Sequence, residues 1–140
     1  MIAYFHTSAL MPLLIEEPTS ATAAQLWDGA GRVASVRLLY PEARAALAQA
    51  HRMGRLSSRQ LRSAVGGLES LDRQLDHIEL TATLAARAGQ LGEDCELRGY
   101  DAVHLAAVEL IADKDLVVVA GDQDLRSAAH ALGLATANLD

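Results

Sequence analysis

Apolar positions along this chain switch repeatedly between short continuous runs and a helical spacing. Met1 to Phe5 is a short apolar run, Thr7 and Ser8 follow as candidate caps, and an apolar stretch then continues to Glu16 and Glu17. The pattern predicts strand, tight turn and helix. Pro18 ends that helix, Thr19 and Ser20 can cap another, and Ala23, Leu26 and Trp27 carry it to Gly29 and Gly31. Arg32 to Val36 predicts a second strand, and from Leu38 a helical pattern through Ala43, Leu47 and Ala50 runs to Gly54. Ser57 and Gln60 form a capping box for a helix to about Leu75, with Leu61, Val65, Leu68 and Leu71 on one face. Gly66 and Gly67 weaken its middle.

His77 to Leu80 predicts a third strand, Ala82 to about Leu91 a helix, and Glu93 to Gly99 a polar connection. Tyr100 to Ala112 is helical with Val103, Ala107, Val108 and Ile111 inward, and Leu116 to Ala120 is the clearest buried strand. A helix from about Asp122 to Leu132 and a strand at about Ala135 to Asn138 close the chain. Strands alternating with helices predict an α/β fold with a mostly parallel sheet covered on both faces. Strand order does not follow from the pattern.

The length of 140 residues, 51% of them hydrophobic and 21% charged, fits one folded domain over residues 1–140. The apolar N-terminus lacks a basic flank and a cleavage site and is broken by His6, Thr7, Ser8 and Pro12, so it reads as structure. A single cysteine, Cys95, excludes an internal disulfide and a thiolate zinc cluster, and a cytoplasmic protein without a membrane span is expected. The net charge of −6 argues against indiscriminate nucleic-acid binding. Within the acidic protein, however, Arg44, Arg52, Arg55, Arg59 and Arg62 fall in an acid-free segment from Ala43 to Leu68. That stripe fits a solvated helix face as well as it fits RNA or a protein partner.

Ligands of open parallel sheets bind beyond the carboxyl ends of the strands. The turns there carry His6, Thr7 and Ser8 after the first strand, Pro41 and Glu42 after the second, and Gly121, Asp122 and Asp124 after the Leu116 strand, while Asp101 opens the preceding helix. Each acid alone is explained by capping or by the helix dipole. Gathered on one sheet edge, they would form a negative pocket calling for a hard divalent cation, Mg²⁺ or Mn²⁺, that activates water for phosphodiester chemistry.

The opening MIAYFHTSALMPLLIEEP resembles that of VapC-type toxins of the PIN-domain family, and LLYPEARAALAQA, LRGYDAVHLAAVEL and VVVAGDQDLRSAAHALGL resemble that family's other acidic motifs in the same order. The resemblance spans essentially the whole chain. It implies a three-layer α/β/α sandwich and a Mg²⁺- or Mn²⁺-dependent endoribonuclease, the toxin of a toxin–antitoxin pair, commonly homodimeric. Glu42, Asp101 and Asp122 match the family's second, third and fourth acids, as catalytic residues and metal ligands. Asp124, Ser8 and Arg44 are weaker candidates for substrate or antitoxin contact, the antitoxin's tail occupying the groove beside the acids.

His6 stands where the family's first aspartate is expected. Imidazole suits Zn²⁺, Mn²⁺, Ni²⁺ or Cu²⁺ better than Mg²⁺ and brings no negative charge, so weaker Mg²⁺ binding and impaired cleavage are expected. A natural variant with altered metal preference, a natural non-cutting member and a deliberate substitution all fit. The competing class is a catalytically silent PIN module that binds antitoxin or RNA. A receiver-like phosphoacceptor domain would need a lysine at a strand end, whereas Lys114 precedes its strand. His104 is expected as a packing residue, His51, His77 and His130 as solvated or helix-end residues, and Cys95 as a bystander.

Overall fold

A computed structural model describes residues 1–140. Five parallel strands, β1 (Ile2–Phe5), β2 (Arg32–Val36), β3 (Asp76–Ile78), β4 (Leu116–Val119) and β5 (Ala135–Ala137), lie in the order β3-β2-β1-β4-β5. β1 is central, pairing with β2 from Ile2 opposite Arg32 and with β4 from Ile2 opposite Leu116. The chain first builds outward through β2 and β3, then returns to the other side of β1 for β4 and β5. The reversal falls between β1 and β4, where a ligand crevice is expected.

Successive strand residues face opposite sides of the sheet. Ala3 and Phe5, with Val33 and Val119, pack into one core against α1 (Thr7–Leu10), α2 (Ser20–Gly29), α3 (Leu39–Arg52) and α4 (Ser58–Gln74). Tyr4, Leu116 and Val118 pack into a second core against α5 (Ala82–Cys95), α6 (Gly99–Leu110) and α7 (Gln123–Ala131). The result is the expected three-layer α/β/α sandwich. Phe5, fully buried, meets Trp27 edge-on at 5.1 Å between ring centres. α4 begins with the predicted Ser57–Gln60 capping box. Its Gly67 lies so close to Leu14 that a Cβ there would sit 3.3 Å from the leucine Cδ2. The missing side chain is therefore where α4 docks on the N-terminal segment.

Four expectations need correction. The first helix is only Thr7–Leu10, followed by a 3-10 turn over Met11–Leu13. Pro12 has no N–H to donate to the carbonyl four residues back, and the Leu14 and Ile15 amides both turn to the Met11 carbonyl. The third strand is shorter and earlier than expected, at Asp76–Ile78. α5 runs on through Glu93 to Cys95, which places the cysteine in a last helical turn, and ends where Glu96 adopts a left-handed φ of 55°. α6 starts at Gly99, making Asp101 a first-turn residue and not the cap.

Candidate active site

His6 immediately follows β1, and its φ and ψ of −71° and 154° keep it extended as the N-cap of α1. Its Nδ1 accepts the Ser8 amide at 3.2 Å and lies 2.7 Å from the Ser8 hydroxyl. An acceptor Nδ1 puts the ring proton on Nε2, which donates to Asp101 Oδ1 at 3.0 Å. The Ser8 hydroxyl in turn accepts the Gly121 amide at 2.8 Å and the Asp122 amide at 3.2 Å. One hydrogen-bonded chain thus ties the β1 turn to the β4 turn and to α6.

A second chain lies beside it. His104 Nε2 donates to Glu42 Oε1 at 2.7 Å, and its Nδ1 accepts from the Tyr4 hydroxyl at 2.8 Å. The Thr7 hydroxyl donates to the same Glu42 oxygen at 2.9 Å, and the Tyr4 oxygen accepts the Val36 amide at 3.3 Å. The two imidazoles meet edge to face, 4.4 Å between ring centres. Each histidine therefore donates to a carboxylate from a different helix, Asp101 on α6 and Glu42 on α3.

Arg98, just before α6, donates from Nε and Nη2 to Asp101 Oδ2 at 3.2 and 3.0 Å, and its Nη2 stands 3.8 Å from Asp122 Oδ2. Asp122 caps α7 by accepting the Leu125 amide at 3.0 Å. The His6 hydrogen bond, together with Arg98, holds the Asp101 carboxyl below the usual carboxylate range against the opposing effect of burial. Burial lowers the His104 pKa despite its bond to Glu42, and pushes the Tyr4 phenol well up.

The expected residues His6, Ser8, Glu42, Asp101 and Asp122 do gather at the carboxyl edge of β1 and β4. Asp124 is exposed in the first turn of α7, where Arg98 senses its charge. Arg44 does not join them: its guanidinium donates to the Tyr40 hydroxyl at 3.0 Å and lies 3.9 Å from Glu69, because residues two apart on a helix face different sides. His104, expected as a packing residue, is fully buried and bonded into the site. Its spacing three residues after Asp101, one helical turn on, is the signal that could have found it. Arg98 was missed altogether, although it too is three residues from Asp101. His51 and His77 tie down local structure, His51 to the Leu56 carbonyl at 2.8 Å and His77 to Asp72 at 2.9 Å.

The arrangement does not fit a Mg²⁺ ion. Both Asp101 oxygens have protein donors, one from His6 and one from Arg98, and Glu42 Oε1 has two, Thr7 and His104. No three His, Cys, Asp or Glu side chains converge on a point that could hold a metal ion. No buried polar side-chain atom lacks a hydrogen-bond partner. Octahedral Mg²⁺ needs several free oxygens at once, and here both Asp101 oxygens are taken, which leaves only Glu42 Oε2 and Asp122 Oδ2, the latter 3.8 Å from Arg98 Nη2. What the edge offers chemically is a set of carboxylates held by internal hydrogen bonds, and one guanidinium, on a side chain that is 80% exposed, able to meet a phosphate.

A five-stranded parallel sheet between two helical layers, with acids at the carboxyl ends of its central strands, is the arrangement of a PIN domain. The PIN-domain family model matches residues 3–131, and the chain belongs to that family. Within the family it is 43% identical over 141 residues to ribonuclease VapC45 of Mycobacterium tuberculosis (strain CDC 1551 / Oshkosh), with 99% of this chain and 98% of the relative covered. In fold it matches VapC20 of Mycobacterium tuberculosis, a Sarcin-Ricin loop cleaving toxin, with a TM-score of 0.68 at 21% identity over 90% of this chain and 94% of the other. VapBC2 of Rickettsia felis, solved bound to a promoter DNA fragment, matches with a TM-score of 0.69 at 13% identity, both chains covered at 100%. No helix of the structure is long and apolar enough to cross a membrane.

Proposed function

We propose that this chain is the toxin of a VapC-type toxin–antitoxin pair, a PIN-domain endoribonuclease that hydrolyses RNA phosphodiester bonds in the cytoplasm. The observation that carries the reading is the placement of Glu42, Asp101 and Asp122 along one sheet edge, linked through His6, His104 and Arg98, in a chain 43% identical to a VapC ribonuclease. The antitoxin partner is supported by the likeness of fold to a VapBC assembly. We assign its nuclease chemistry to the divalent-metal-dependent class, Mg²⁺ or Mn²⁺, through a site that needs an aspartate at position 6 to fit the ion, in a single domain that forms a homodimer.

His6 impairs that activity. Where an aspartate would add a charge and an oxygen, the imidazole donates a hydrogen bond to Asp101 and pairs the carboxylate a cation would need. His6→Asp is expected to cut RNA in Mg²⁺ or Mn²⁺ and to arrest growth on expression, with the parent chain much slower in both. If neither form cuts RNA or arrests growth, the enzyme reading fails.

A second reading rests on the internal pairing of Asp101 with His6 and Arg98. It is a silent PIN module that holds antitoxin or RNA without cutting. Cleavage by the parent chain at a rate matching His6→Asp would eliminate it.

A further inference from the structure

We propose that Tyr100 is the stacking platform for one nucleobase of a single-stranded RNA, in a subsite next to the carboxylate edge. The proposal rests on the RNA-binding reading above. Of the five aromatic side chains in the protein, Tyr4 and Phe5 are fully buried, Trp27 is nearly so, and Tyr40 is half-buried with its hydroxyl on Glu69. Tyr100 alone is exposed, at 65%, and it immediately precedes Asp101 in the first turn of α6. It lines a cleft of about 650 Å³ whose apolar wall is Leu38, Leu80, Tyr100 and Val103 and whose polar wall is Glu42, Arg98 and Asp101. Leu80 is 45% exposed there.

An exposed ring beside an exposed arginine suits one nucleotide. The base has a flat apolar face for the ring, and its phosphate carries the charge that Arg98 can take up with the guanidinium nitrogen not used on Asp101. Leu38 and Leu80 also line a neighbouring cavity of about 580 Å³ whose carboxylates Glu69, Asp72 and Glu79 disfavour a phosphate there, which confines the subsite to the cleft beside Tyr100 and Arg98. Charge favours stacking as the source of affinity. A protein of net charge −6 gains little from phosphate attraction as a whole, so its hold on RNA must draw on contacts that do not depend on charge. Tyr100 is an RNA-binding residue in this scheme, outside the acid cluster itself.

The test is fluorescence anisotropy in EDTA, so that nothing is cut, with fluorescein-labelled oligo(A) and oligo(U) and with the same oligomers carrying one abasic nucleotide at each position in turn. The parent chain is expected to lose about tenfold in affinity when the abasic site falls in the Tyr100 subsite. Tyr100→Ala should lose a similar factor on the intact oligomers and become indifferent to the abasic position, while Tyr100→Phe keeps the parent's behaviour. Unchanged binding by Tyr100→Ala, in a chain that still binds RNA, overturns the subsite and leaves the ribonuclease reading standing. Unchanged RNA binding together with lost co-purification of a small partner protein assigns the cleft to protein and also overturns it. If neither the parent nor His6→Asp binds or cuts RNA, the functional reading falls and takes the subsite with it.

Discussion

His6 Nε2 and Asp101 Oδ1 share a hydrogen bond of 3.0 Å across 95 positions of sequence, and both side chains are almost fully buried. The bond joins the end of β1 to the first turn of α6. It also removes one carboxylate oxygen from any ligand that approaches the sheet edge.

Replacing that histidine should couple stability to metal. In His6→Asp two buried carboxylates face each other without the imidazole donor, at an expected cost of about 1–3 kcal/mol in EDTA. Mg²⁺ or Mn²⁺ should then raise the melting temperature of His6→Asp by binding the folded state alone. The parent's melting temperature should not respond. Circular dichroism melts with EDTA, Mg²⁺ and Mn²⁺ check this, and an equal metal response in both proteins would contradict the His6–Asp101 pairing.

Arg98 should matter to ligands more than to stability. Its side chain is 80% exposed, so Arg98→Ala is expected to change the unfolding free energy by less than about 1 kcal/mol. In the His6→Asp background the same change frees Asp101 Oδ2 and should tighten Mn²⁺ binding in a calorimetric titration. Weaker Mn²⁺ binding would mean that Arg98 supports the site and does not compete for it.

His104 is a keystone of the buried network. His104→Leu leaves the Tyr4 hydroxyl and the Glu42 carboxylate without their shared partner, and a loss of about 2–4 kcal/mol in urea unfolding is expected. A loss below about 0.5 kcal/mol, the range of ordinary surface changes, would show that the network contributes little.

Acid should act on the fold in two windows. Burial lowers the folded His104 pKa below its ordinary 6.5, so below that pH the unfolded chain binds the proton first and stability falls as pH falls. The Asp101 pKa is lowered below its ordinary 3.8 by His6 and then Arg98. Its contribution is therefore complete above that value and is lost as pH drops through the folded pKa. Urea unfolding from pH 7 to 3 should show both slopes. His104→Gln should remove the first and spare the second.

Much of the fold was legible because periodicity reports burial directly. Apolar runs at β1, β2 and β4, the capping box at Ser57 and Gln60, and the strand–helix alternation sufficed for a parallel sheet with two helical layers. Helix ends were less legible: a missing N–H at Pro12 cut the first helix short, and α5 ran through its polar stretch to Cys95 because polar residues can continue a helix on its solvent side. Glu42, Asp101, Asp122 and His6 were legible as strand-end and helix-start residues that parallel topology must bring to one edge.

The sequence by itself determined which residues lie at that edge, since strand ends and helix starts are local features. Only the tertiary structure decided how they are paired. The order β3-β2-β1-β4-β5 brings Glu42 to His104, 62 positions away, and Asp101 to His6. Helical spacing says which face a side chain occupies but not which neighbour fills the space opposite. That is why His104 read as packing and Arg98 went unseen, and why two of the acids that suggested a metal pocket, Glu42 and Asp101, are found hydrogen-bonded to the protein's own imidazole and guanidinium groups.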